Sequence, residues 1–250
     1  MYDIEIKNLS VNYDSVIALK DINLKVKHKE FLGIIGPNGG GKSTLLKVLL
    51  GLLKPSKGSI SLNTNKPLGY VPQYSHFDSE FPIKVKDVIL MGKLSQEMFF
   101  HRYSDKEMKK VREIMDAFGL LKYQNRQIGQ LSGGQIQKVM IARALIMEPD
   151  ILLLDEPTAS LDSNAKSEIY KILKMINKEK TIIIVSHDLE VISSYIESVA
   201  CLNKTLHYHG DNNELNKETL EKTYGCPVEL IAHGSTPHRV LNRHKEEKND

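Results

Sequence analysis

Apolar and polar residues alternate near the start of the chain. Ile4 and Ile6, then Leu24 and Val26, are separated by charged side chains. A period of two with one wet face predicts antiparallel strands within residues 3–27. Tyr13 lies in the turn region between them and reads on spacing alone as a half-buried sheet aromatic. Phe31-Leu32-Gly33-Ile34-Ile35 is apolar throughout and predicts a buried strand. Residues 44–50 predict a helix that Gly51 stops and Pro55 bars from continuing. Residues 58–62 and 68–71 are two further short strands, the second running out at Pro72-Gln73.

The character changes from about residue 77 to 147, where no strand pattern is visible. Residues 85–91 predict a short apolar helix. Ser104-Asp105-Lys106-Glu107 carries the spacing of a capping box. It is followed by an apolar stripe, Val111, Ile114, Met115 and Phe118, with Gly119 as the stop. This stretch predicts a helical subdomain inserted between two halves of an α/β core. Ser132-Gly133-Gly134 then opens a helix through residue 145. Residues 150–156 predict a buried strand ending in Asp155-Glu156. Asp162-Ser163-Asn164 begins an amphipathic helix to about residue 177. Residues 181–185 predict another buried strand, ending at Ser186-His187-Asp188.

Candidate chemistry sits at the ends of these strands. Gly36-Pro37-Asn38-Gly39-Gly40-Gly41-Lys42-Ser43-Thr44 follows the predicted strand 31–35 and opens the next helix. It fits G-x-x-x-x-G-K-[ST] in the context that motif requires. Glycines let successive backbone N–H groups point at one anion, and the helix N-terminus adds partial positive charge. Lys42 suits β- and γ-phosphates, and the Ser43 hydroxyl suits Mg²⁺. Given that loop, Asp155 suits the metal and Glu156 the orientation of an attacking water. Gln73 leaves a strand where ligands bind open α/β sheets, which alone is a weak signal. Ser132 and its glycines make a second possible anion site, although on these residues alone an ordinary Ser-Gly-Gly helix start is the better reading. His187 falls at the same sheet edge as Asp155 if the strands are parallel.

Composition narrows the partners. A formal net charge of +3 over 250 residues gives no basic footprint for nucleic acid. The two cysteines, Cys201 and Cys226, are too few for a disulfide framework. The start lacks a basic region and a long apolar run, so no signal peptide is expected. No apolar run approaches a membrane span. Five of nine histidines lie beyond residue 200. His233, His238 and His244 fall in a tail whose end is expected to fray, solvated rather than metal-bound.

Taken in order, Tyr13, the loop Gly36 to Thr44, Gln73, Leu131-Ser132-Gly133-Gly134-Gln135, Asp155-Glu156, Asp162 and His187 resemble the motifs of the ATP-binding subunit of an ABC transporter. The resemblance covers residues 3 to about 220. It implies a P-loop NTPase (RecA-like) α/β core with an antiparallel β subdomain and an inserted α-helical subdomain. The ATPase domain would span 1–225, with the helical part at about 77–147 and a histidine-bearing tail at 226–250. The resemblance implies that Tyr13 stacks on adenine, and that Lys42 and the backbone of Gly39 to Thr44 hold the phosphates. Ser43 and Gln73 reach Mg²⁺, with Asp155 behind them. Glu156 polarises the water and His187 steadies the γ-phosphate. Ser132 and Gly134 (with Gln135 beside them) contact ATP on a second subunit, in a head-to-tail homodimer around two ATP. Ala159-Ser160-Leu161-Asp162 and Ile136 depart from the common pattern without removing a chemical group.

A narrower resemblance lies in Tyr70 to Gln73, the stretch Phe81 to Gly92, the triple glycine of the loop, and Cys226 to Gly234. These are similar to the zinc, manganese and iron-chelate importers. The implication is an ATPase on the cytoplasmic face of the membrane. It would dock on integral membrane permease subunits and be served by an extracytoplasmic metal-binding protein. A siderophore or haem importer shares parts of the pattern. A soluble ABC ATPase that does not transport is the remaining alternative.

Overall fold

The computed structural model describes residues 1–73, 81–93, 103–188 and 194–225, and the backbone of 228–233 and 236–241. The chain divides into two units, residues 1–63 with 183–250, and residues 64–182.

In the first unit the predicted alternation becomes two twelve-residue strands, β1 (Tyr2–Tyr13) and β2 (Val16–Lys27). Ile4 pairs with Val26 and Ile6 with Leu24. All four are buried, while between them Glu5 is partly exposed and Lys25 is exposed. β4 (Lys57–Leu62) adds to β1, giving an antiparallel sheet in the order β2-β1-β4. Tyr13 is the last residue of β1 and pairs with Val16, so the turn itself is two residues long.

Beside this sheet lies a mainly parallel one. β3 (Phe31–Ile35) is buried at every position, as a strand covered on both faces must be. It pairs in parallel with β8 (Ser198–Asn203), which pairs antiparallel with β9 (Thr205–Asp211). β7 (Thr181–Val185) enters this unit along the other side of β3, where Ser186 N–H donates to the Ile34 carbonyl. Among its described residues the unit also holds the helices α1 (Lys42–Leu49) and α6 (Lys217–Tyr224). Cys201 is buried in β8 and forms no disulfide.

The second unit sets β5 (Gly69–Val71) parallel to β6 (Ile151–Asp155), with the start of β7 next to β6. Its helices are α2 (Val85–Leu90), α3 (Asp105–Ala117), α4 (Gly133–Leu145) and α5 (Ser163–Asn177). Among the described residues between 81 and 147 there is no strand, only a bridge between Lys84 and Gln127. Ser104 and Glu107 form the capping box in full. Val111, Met115 and Phe118 are buried as the stripe requires.

The C-terminal stretch departs from the sequence expectation. Where a tail is expected, the backbone makes a hairpin, β10 (Val228–His233) against β11 (Thr236–Leu241). The stretch Val228 to His233 shows no clean alternation, because Leu230-Ile231-Ala232 is apolar throughout. His233 and His238 fall on its strands. Cys226, His244 and the charged end lie outside the described residues.

Candidate active site

The first unit holds the loop. Its glycines are required by what surrounds them. Gly36 has φ +153°, and a Cβ there would lie 1.8 Å from the Leu202 carbonyl oxygen. A second tie runs from Lys204 N–H to the Gly40 carbonyl at 2.9 Å. The turn after β8 therefore walls the loop, which no sequence motif announces. Gly41 is left-handed, at φ +93°, and precedes a helix whose N-terminus has no side-chain cap and no acidic residue in its first turn. That N-terminus keeps its donors and its partial positive charge for an anion from outside.

Lys42 is 6% exposed. Its ammonium donates to the carbonyls of Gly36 and Pro37, both at 2.9 Å, and so lies inside the curl of the loop. A buried cation among backbone dipoles at an uncapped helix end is built for a polyanion. Ser43 and Thr44 are half-buried, while Asn38 and Gly39 are exposed. The same unit carries His187 and Tyr13. His187 is exposed directly after Ser186, so it leaves β7 next to the end of β3. Tyr13 is 42% exposed at the tip of the β1–β2 hairpin.

The second unit holds the carboxylates. Tyr70 pairs with Leu153 and Val71 with Leu154, so β5 and β6 end side by side. Gln73 and Glu156 follow those ends, and the Gln73 side-chain amide donates to Glu156 Oε2 at 3.0 Å. Glu156 has a left-handed φ of +46°, which costs of order 1–3 kcal/mol for a residue with a Cβ. Asp155 is 4% exposed. Burial, and then the Asp155 charge, push the Tyr70 hydroxyl above its ordinary value. Neither acid caps the following helix. Asp162 does that, accepting from Ala165 N–H at 2.9 Å.

The Leu131 to Gln135 stretch forms one wall of a cavity of about 530 Å³ lined by Ser132, Gly134, Gln135, Lys138, Asp162 and Tyr123, among others. Ser132 is the N-cap of α4 and Gln135 completes a capping box. Gln135 Oε1 accepts from Ser132 N–H at 3.0 Å, and its Nε2 donates to the Tyr123 hydroxyl at 3.1 Å. The S-x-x-Q spacing signals the box. Nothing in the sequence signals Tyr123.

The ABC transporter family profile matches residues 19–159. A probable metal transport system ATP-binding protein of Thermotoga maritima is 40% identical over 88% of this chain and 90% of its own. The zinc uptake system ATP-binding protein ZurA of Listeria monocytogenes is 39% identical over 84% and 86%. The manganese transport system ATP-binding protein MntB of Listeria innocua is 38% identical over 91% and 98%. Among solved structures, an inward-facing transporter of metal-chelate type superposes with a TM-score of 0.86 at 27% identity, covering 97% of this chain and 98% of that one. A dimeric ATP-binding cassette with ADP and Pi superposes at 0.68 with 29% identity, over 85% and 100%. This chain belongs to the ABC transporter family, as an ATP-binding, ATP-hydrolysing subunit.

Proposed function

We propose that the chain hydrolyses ATP to energise an importer of a transition metal ion, zinc or manganese. The carrying observation is Lys42, buried in a glycine loop at the uncapped start of α1. The metal reading is supported by similarity to zinc and manganese transport ATP-binding proteins over most of the chain. A chelated metal is the second reading, favoured by the likeness to the metal-chelate transporter.

Each residue does what its chemistry allows. The loop N–H groups of Gly39 to Thr44 and the Lys42 ammonium bind the β- and γ-phosphates. Tyr13 offers an exposed ring to adenine. Ser43, Gln73 and Asp155 supply oxygens for Mg²⁺, which when bound neutralises charge on the phosphates. Glu156 orients and deprotonates water, and His187 donates to the γ-phosphate. Ser132, Gly134 and Gln135 face a nucleotide held by a second copy. Two copies close around two ATP, and hydrolysis reopens them, moving permease subunits at the cytoplasmic face of the membrane. Among the described residues no helix is long and apolar enough to cross a membrane. In this reading permease subunits supply the path, and an extracytoplasmic metal-binding protein supplies the ion.

Glu156→Gln tests the enzyme part. The variant keeps ATP affinity, accumulates an ATP-bound dimer, and loses turnover by on the order of 100-fold or more. Hydrolysis at the wild-type rate would remove Glu156 from the mechanism.

A further inference from the structure

Gln135 uses its amide twice. Its oxygen takes the Ser132 N–H, so its nitrogen must face an acceptor, and that acceptor is the Tyr123 hydroxyl 3.1 Å away. Tyr123 is itself fixed. Its N–H donates to the Leu120 carbonyl and its carbonyl accepts from Arg126 N–H. Lys122 Nζ and Arg126 Cζ lie 5.1 and 5.0 Å from its ring centroid. These are cation–π distances, so the ring is held by charge as well as by the backbone. Ser132 Oγ accepts only a long bond, 3.4 Å, from Gln135 N–H. Its hydroxyl proton remains available for donation towards the cavity that Tyr123, Gln135 and Ser132 line together.

We propose that Tyr123 is a positioning residue for the nucleotide bound by the second copy: through Gln135 it sets the Ser132 end of α4, and so the geometry with which Ser132 donates across the dimer. The inference rests on the dimer reading above. Tyr123 touches no reacting atom. Its hydroxyl fixes the Gln135 amide, which holds Ser132 N–H and leaves Ser132 Oγ to the ligand. An isolated monomer binds ATP through the loop and does not need this relay. A closed dimer needs it twice.

Tyr123→Phe removes the acceptor and keeps the ring, its two cations and the fold. The parent is Glu156→Gln, full length, with dimer formation followed by light scattering across an ATP titration. Monomer affinity is read separately with a fluorescent ATP analogue at low protein concentration. Tyr123→Phe is expected to weaken ATP-driven dimerisation about tenfold, a partial loss of the Ser132 hydrogen bond at each of the two sites. Monomer affinity and melting temperature should stay at the parent's values. In a Gln135→Ala background the same change should add nothing, because the relay is already broken. Unchanged dimerisation, or an equal further loss in the Gln135→Ala background, would overturn the relay. A fall in melting temperature or monomer affinity that matches the dimer loss would make Tyr123 a structural brace only. If the Glu156→Gln parent itself stays monomeric in ATP, the dimer reading fails first and this proposal with it.

Discussion

Gly36 and Gly39 lie in the same loop and make opposite demands. A Cβ at Gly36 would overlap the Leu202 carbonyl, whereas at Gly39, φ +76°, it would meet nothing within 4 Å. Gly36→Ala must move the turn after β8 or the loop itself. We expect it to abolish nucleotide binding and lower the melting temperature. Gly39→Ala carries only the strain of a left-handed residue, about 1 kcal/mol, and should still bind ATP. Paired nucleotide titrations and melting curves check both, and the account fails if the two variants behave alike. The motif fixes Gly36 and leaves Gly39 open, without giving the reason. Their difference comes from a neighbour more than 160 residues away in sequence, which no local pattern contains. The same holds for Tyr123, whose partner Gln135 was legible in the motif while the hydroxyl that fixes it was not.

The elements themselves were legible wherever one local rule acted without competition. β3, β6 and β7 are five-residue strands built on apolar runs of four or five, and all are buried, because both faces of a parallel sheet are covered. α3 begins at the predicted box. Ser104 N–H and then the Ser104 hydroxyl donate to Glu107, with Lys93 adding its charge, and together they hold the Glu107 carboxyl down to about 2. Its folded pKa lies below the unfolded one, so this stabilisation is complete above about pH 4.5 and fades as pH falls towards 2. Glu107→Gln keeps an acceptor for Ser104 N–H without an ionisation. We expect the wild type to lose more stability than Glu107→Gln between pH 4.5 and 2.5, measured as urea midpoints. Equal losses would show that the carboxylate is not linked to the fold. The hairpin β10–β11 was not legible, because Ile231 breaks the alternation of 228–233 and Pro237 lies inside the second strand.

At the scale of the whole molecule, this chain contains ATP chemistry and no described metal cluster. Among the described residues no group of three His, Cys, Asp or Glu side chains could hold a metal ion. The sequence was explicit about the loop, the paired acids and the Leu131 to Gln135 stretch, and approached cargo only through likeness to the metal transport proteins. The direct measurement is cellular zinc, manganese and iron by elemental mass spectrometry in metal-poor medium. It compares a strain lacking this protein with strains restored by wild type or by Lys42→Ala. The account predicts that zinc or manganese falls in the deletion and is restored by wild type alone. Unchanged zinc and manganese, or full restoration by Lys42→Ala, would contradict it.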